Sequence, residues 1–199
     1  MNTPRLLPLA CLLLAACSFL EPRADPTRYF VLAPETTAAP PAASAQLSVV
    51  VGPLQLPDYL LRPEIVRRAG PNQLEPSRMD RLAEPIDRAF MRVLCLDLAA
   101  RLPQSTVVPF PASGSQGAVG FDIEIIAFEA DLAGTVRLEG NWRMRGGSDG
   151  QRAGHAFRLE RAAGSRETAD EVAALSGLVG QLAGEIAAEL AGATPSPAR

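Results

Sequence analysis

His155 is the single histidine in a chain of 199 residues, so any imidazole-based triad or acid–base chemistry would have to run through it. Ala153, His155, Phe157 and Leu159 alternate along an expected strand, which puts the imidazole on an apolar face and reads as a core residue rather than a catalyst. Asp122 and Glu124 would share one strand face and could pair for acid–base work, yet a solvated strand face produces the same spacing. Cys95 fits a small helix-packing residue, with a reactive or intermolecular thiol as the other reading. No glycine-rich phosphate loop or Cys/His cluster occurs. These residue types imply a protein that is not an enzyme and that holds no metal.

The one cysteine whose surroundings specify chemistry is Cys17. Arg5 supplies a positive charge, and the run Leu6 to Leu14 is apolar but about half the ~20 residues needed to cross a bilayer. Leu14-Ala15-Ala16-Cys17 then resembles a bacterial lipobox, in which small residues precede the cut and the cysteine sulfur takes a diacylglyceryl group. On this reading residues 1–16 are a lipoprotein signal peptide, and Cys11 leaves with them. The mature chain begins at Cys17 with covalent diacylglycerol and N-acyl lipid, palmitate among them, and no other cofactor. Cys95 is then unpaired, so an intrachain disulfide is excluded. Each buried CH2 of an acyl chain contributes about 0.8 kcal/mol, so two or three chains hold the protein on a membrane permanently. By the sorting habit of bacterial lipoproteins, Ser18 rather than Asp after the cysteine implies the outer membrane, facing the periplasm.

The charge balance is slightly acidic at −3. Positive residues are scattered and aromatics make up 5%, which leaves neither an electrostatic footprint nor a stacking platform for nucleic acid. An apolar fraction of 47% is enough for one core.

The elements that would position these residues follow from periodicity. Residues 17–27 form a tether, residues 28–191 the domain and residues 192–199 a tail. Arg28 to Leu32 reads as a first strand, and Ala33 to Ala45, rich in Pro, Ala and Thr, as a loop. Leu47, Val49 and Val51 alternate on a strand that Gly52-Pro53 should break. Glu64 to Arg68 reads as a strand, with a turn at Gly70-Pro71-Asn72 and a short return near Gln73-Leu74. A helix should enter at Glu84-Pro85, bury Ile86, Phe90, Val93 and Leu94, and stop at Leu102-Pro103. Asp97 lies near the middle of that stripe, either reaching water or an arginine, or serving as a buried polar anchor.

Phe121, Ile123 and Ile125 alternate before the phase switches at Ile126 and Phe128, which predicts a bulge near Ile125-Ile126. Val136, Leu138, Trp142 and Met144 alternate strictly, with a turn over Gly146 to Gly150 before the next strand. Three half-buried antiparallel strands result. Their polar face, with Arg137, Arg143, Arg145 and Arg158, is an ordinary surface or a face for a partner or lipid headgroup. The last helix should begin at Thr168, with Glu171 completing a capping box, and present Val172, Leu175, Val179, Leu182, Ile186 and Leu190 as one stripe. Gly177, Gly180 and Gly184 each cost that helix about 1 kcal/mol relative to Ala. They would allow close packing within the chain or on another subunit. The expected fold is α+β: one domain with an antiparallel sheet and two helices packed on it.

One stretch carries a specific resemblance. The run Gly52-Pro53-Leu54-Gln55-Leu56-Pro57-Asp58-Tyr59-Leu60-Leu61-Arg62-Pro63 follows a tyrosine strand, Arg28 to Leu32. Further on come Arg81-Leu82-Ala83-Glu84-Pro85-Ile86, Phe90 and Asp97 to Pro103. This pattern resembles the PqiC-like ABC-type transport auxiliary lipoprotein family over residues 14 to about 190. The resemblance implies a non-enzymatic outer-membrane lipoprotein that docks an MCE-domain periplasmic protein of an intermembrane lipid-transport system, and a homo-oligomer would suit such a conduit. Pro57, Asp58, Tyr59, Leu60 and Arg62 are the candidate contact for partner or lipid, although Tyr59 could equally fold back over the core. A structural lipoprotein of envelope assembly and a lipoprotein that binds a small apolar ligand itself are the alternatives.

Overall fold

The computed structural model describes residues 25–35, 46–112, 118–146 and 154–192. Residues 1–16, the expected signal peptide with Cys11, as well as Cys17, most of the Pro/Ala/Thr loop, residues 147–150 of the expected turn, Ala153 and residues 193–199 lie outside the described residues. In chain order the elements are β1 (Arg28–Phe30), β2 (Ser48–Gln55), β3 (Glu64–Gly70), β4 (Gln73–Leu82), α1 (Ile86–Arg101), β5 (Thr106–Pro109), β6 (Val119–Asp131), β7 (Thr135–Arg145), β8 (Gly154–Ala162) and α2 (Thr168–Gly192). A short 3-10 turn spans Asp58–Leu60.

β6 organises the sheet. One of its edges pairs antiparallel with β7 from Gly120 to Ala130, and β7 pairs in turn with β8. The other edge is divided between two parallel neighbours. β2 lies beside Val119 to Glu124, and β3 beside Ala130 and Asp131. β5 continues the first branch, and β4 and then β1 continue the second. The fold is α+β with two helices, as expected, but the sheet is mixed. The antiparallel expectation holds for β6–β7–β8 and β3–β4 and gives way to parallel pairing for β1–β4, β2–β5, β2–β6 and β3–β6.

Local sequence explains these strands. Val49, Val50 and Val51 are all buried, as suits a strand covered on both faces. Gly52-Pro53 does not end β2: the register shifts between Val51 and Leu54 and pairing resumes to Gln55. Gly52 has φ +105°, a conformation that favours glycine, and a Cβ there would also press on Met91 Cε at 3.0 Å. In β6 the register shifts between Ile125 and Ala127, which is the bulge that the change of phase predicted. β4 runs ten residues, well beyond the short return expected.

α1 begins directly after Pro85, which sits at its cap, and ends before Leu102. Phe90, Val93, Leu94 and Leu98 are fully buried on it, and Phe90 meets Phe128 of β6 edge to face. The apolar stripe of α2 is buried along its whole length. The capping box does not form in the expected way. Arg67 donates to the Glu171 carboxylate at 2.9 Å and to the Thr168 hydroxyl at 2.8 Å, and that hydroxyl donates to Asp80 at 2.5 Å. Arg28 completes the cluster, donating to Asp80 at 2.7 Å and holding its carboxyl below the usual range. Tertiary partners have taken the two side chains that a local cap would use.

After β1 the chain crosses both helices as a strap. Arg92 donates to the Leu32 carbonyl at 2.9 Å, the Ala33 N–H donates to Ser176 at 3.1 Å, and the Glu35 N–H donates to Asp97 at 2.8 Å. Asp97 is therefore the buried polar anchor, with no exposed surface. A Cβ at Gly177 would collide with the Arg161 guanidinium, and one at Gly180 would lie 2.7 Å from the Glu35 carboxylate. The glycines of α2 thus make room, within the chain, for Glu35, which pairs with Arg101 at 3.3 Å and Arg161 at 3.7 Å.

Burial pushes the Asp97 carboxyl above its ordinary value, and the Glu35 N–H and Arg101 offset only part of that rise. A raised folded-state value means that stability falls as pH climbs from the unfolded value, near 4, through the folded one. Asp97→Asn keeps an acceptor for the Glu35 N–H and should abolish that slope, leaving the variant at least as stable as wild type at pH 7. Asp97→Ala leaves the N–H unpaired and should cost about 1–3 kcal/mol. Urea unfolding between pH 3.5 and 8 checks both.

Candidate functional site

The segment from Gly52 to Pro63 connects the two branches of the fork. Between Glu124 and Ala130, β6 has neither β2 nor β3 beside it, and the 3-10 turn lies at this gap. Prolines flank the turn at 57 and 63, and the Leu60 N–H closes it on the Pro57 carbonyl at 3.0 Å. Leu60 is 3% exposed and belongs to the core. Tyr59 is half-buried; its hydroxyl donates to Glu129 at 2.6 Å and lies 3.4 Å from the Ile126 carbonyl, at the bulge. Of the two readings open for Tyr59, the structure shows the one in which it folds back.

Glu129 is the hub of this gap. Its carboxylate is 2% exposed and accepts from Tyr59, from Arg68 at 2.6 Å and from Arg137 at 3.1 Å. Burial pushes its acidity toward the neutral form, but the Tyr59 hydroxyl and the two guanidiniums outweigh that and hold it below the ordinary glutamate value. The Tyr59 phenol is pushed upward by burial and by Glu129. Sequence reasoning did not single out Glu129. The available signal was a lone carboxylate inside the apolar run Ala127 to Ala130, just past the change of phase.

Of the five candidate contact residues, Leu60 is thus buried and Tyr59 spends its hydroxyl internally. Asp58 and Arg62 are exposed, and Pro57 is half-buried. Arg62 pairs with Glu64 at 3.4 Å. Leu61, 53% exposed, joins Arg62 and Pro63 on one wall of a groove of about 480 Å3, with Leu82 to Asp87 opposite. The motif therefore puts Tyr59 and Leu60 inside and Leu61, Arg62 and Pro63 on a concave surface.

The other candidates are placed as clearly. His155 shares a face with Trp142 as its alternation predicted, stacked at 4.2 Å, but it is exposed at the start of β8 and not a core residue. Asp122 pairs with Arg145 at 2.6 Å, while Glu124 faces solvent. Arg137 and Arg158 pair with Glu129 and Glu160. Cys95 is half-buried, and burial pushes its thiol up to about 11, which opposes thiolate chemistry. Among the described residues no group of His, Cys, Asp and Glu is arranged to hold a metal, and no helix is long and apolar enough to cross a membrane.

With the fork, its plug and the groove in place, the comparison that decides the family is the model of the ABC-type transport auxiliary lipoprotein component, which matches residues 30–187. The chain belongs to that family. Its members are auxiliary lipoproteins of transport systems, and the family is not one of known enzymes. The fold is similar to that of protein XCC0632 from Xanthomonas campestris, a DUF330 protein, with TM-score 0.70 and 19% identity over 83% of this chain and 97% of that one. It is similar to a second solved structure, of an uncharacterized protein, with TM-score 0.70 and 21% identity over 82% and 98%. The PelC dodecamer from Paraburkholderia phytofirmans matches at TM-score 0.38 and 13% identity over 73% and 92%, too loosely to bear on assembly of this chain. No curated protein matches the sequence.

Glu129→Gln leaves Arg68 and Arg137 without their buried counter-charge and should cost about 3–5 kcal/mol, whereas Tyr59→Phe, which removes one hydrogen bond to a charged group, should cost about 1.5–3 kcal/mol. A folded-state value held low contributes stability that is present above the unfolded value, near 4.3, and is lost as pH falls through the folded one. The acid limb of the stability profile should therefore flatten in Glu129→Gln. Chemical denaturation at pH 7 and at pH 3 reads both effects.

Proposed function

We propose that this chain is a non-enzymatic lipoprotein of the outer membrane, lipidated at Cys17 and facing the periplasm. In this role it docks the periplasm-spanning MCE-domain component of an intermembrane lipid-transport system. The observation that carries the reading is family membership across nearly the whole domain, joined to a lipobox just upstream of its first strand. The physical logic agrees with it. From Cys17 to Arg28 the chain spans at most about 40 Å when fully extended, so the domain would stay close to the leaflet that holds its acyl chains. A lipid crossing water needs a covered route, and a receiving element fixed at the far membrane supplies its end. The groove bounded by Leu61, Arg62 and Pro63 is the docking surface on this reading. It combines exposed apolar area with charge in a concave wall, the composition of small transient interfaces.

The experiment is affinity purification of the full-length protein from crosslinked envelopes, with mass spectrometry of what is retained. Recovery of an MCE-domain protein is expected. Recovery of barrel-assembly or cell-wall proteins alone would replace the transport reading with that of an envelope structural lipoprotein. Cys17→Ala should shift the protein out of the outer-membrane fraction on a density gradient; unchanged sedimentation would remove the lipid anchor. Leu61→Glu combined with Arg62→Glu, both at exposed positions, should reduce recovery of the partner at least about tenfold while the thermal midpoint stays within a few degrees. Full recovery by a folded variant would move the docking surface elsewhere.

A further inference from the structure

A second groove, of about 650 Å3, lies between α1 and the ends of β2 and β5, and adjoins the first at Asp87. Its volume falls in the roughly 300–1,000 Å3 range of small-ligand sites. Half-buried Leu54, Met91 and Cys95 line it together with Leu96 and Phe110, which are 48% and 49% exposed. The charges lie toward the start of α1. Arg92 is engaged by Glu84 and the Leu32 carbonyl. Among the described residues, neither the Asp87 carboxylate nor the Arg88 guanidinium makes a hydrogen bond or ion pair. These two sit about 12 Å along the helix from Cys95 and Leu96, on the scale of a headgroup at one end of an apolar slot.

The walls also discriminate between occupants. Phe110 gives its N–H to the Val51 carbonyl of β2 at 2.8 Å. Pro53 and Pro109, which also line the groove, have no N–H to give. A peptide seated here would find few N–H donors on these walls for its carbonyls, at a cost of about 1–3 kcal/mol for each one buried unpaired. A hydrocarbon chain has no such groups to satisfy. We propose that this groove binds a zwitterionic amphiphile, its hydrocarbon chain lying along Met91, Cys95 and Phe110 and its headgroup cation and anion meeting Asp87 and Arg88.

The inference stands apart from the docking reading, because binding is measured on the chain alone. The test uses the full chain carrying Cys17→Ser, so that no covalently attached acyl chain competes. The probe is palmitoyl lysophosphatidylethanolamine below its micellar threshold, followed by titration calorimetry. Saturable one-to-one binding is expected. Leu96→Glu should weaken it at least about tenfold, and Arg88→Glu by about three- to fivefold. Leu132→Glu, at an exposed position in the β6–β7 turn, should leave it unchanged, with circular dichroism showing all three variants folded. Absence of saturable binding, or an undiminished affinity in folded Leu96→Glu, overturns the site. Saturation by an apolar peptide but not by the lysolipid overturns it in favour of a protein occupant. Undiminished affinity in Arg88→Glu overturns the placement of the headgroup.

Discussion

A β-strand has two edges, and β6 serves three neighbours. That constraint shapes the molecule. Where β2 stops and β3 has not yet begun, β6 presents backbone that no strand covers, beside a bulge and a buried carboxylate. Unpaired backbone at such a place costs free energy unless something else meets it. The Asp58–Leu60 turn meets it, with Leu60 filling the core and Tyr59 binding Glu129. Arg68 from β3 and Arg137 from β7 reach the same carboxylate, so one buried charge joins the turn and both flanking strands. The stretch of sequence from Gly52 to Pro63 is thus first a device for closing a fork, and its outer residues are turned to the surface because the inner ones are fixed.

The inner face repeats this logic. Asp80, Thr168, Arg67 and Glu171 connect the β3–β4 branch to the first turn of α2. The strap then ties the start of the chain to both helices through Asp97, Arg92 and Ser176. Buried charges paired in this manner add little net stability compared with apolar residues of the same volume, but each is costly to leave single.

Features encoded within one element were legible from sequence. The β6–β7–β8 meander, the bulge at Ile126 and the stripe of α2 all follow from local alternation or helical spacing, and the structure has them. Features that depend on distant partners were not. The parallel pairing of β1 with β4 and of β2 with β6 joins residues 52 and 70 positions apart, beginning with Arg28↔Asp80 and Val49↔Val119, and no local period announces it. Gly52-Pro53 carries every mark of a strand break, yet β6 and β5 hold the chain on both sides and turn the break into an irregularity. Thr168 and Glu171 have cap spacing, but Arg67 and Asp80 offer charged partners that a local cap cannot match. The candidate site was half legible: the motif stands out by its prolines and its Tyr-Leu-Leu run, whereas which of its side chains point inward depends on Glu129, 70 residues from Tyr59. His155 fell on the predicted strand face, but at a strand end beyond the reach of the core.

The strap bears on what happens when the molecule is pulled. Tension arriving from upstream of Thr27 meets the three residue pairs of β1 and β4 before anything else, together with the Arg28–Asp80 ion pair. Should that short ladder slip, the load passes to the Leu32 carbonyl on Arg92 and the Glu35 N–H on Asp97, where the chain is clamped across two helices. Neither groove is lined by β1 or by the strap. Both are nonetheless coupled to the load, since Phe30 pairs with Leu82 on the wall of one groove and the Leu32 carbonyl rests on Arg92 in the other: like a cable gland, the fold takes up drag on the lead at the point of entry, directly beside its grooves.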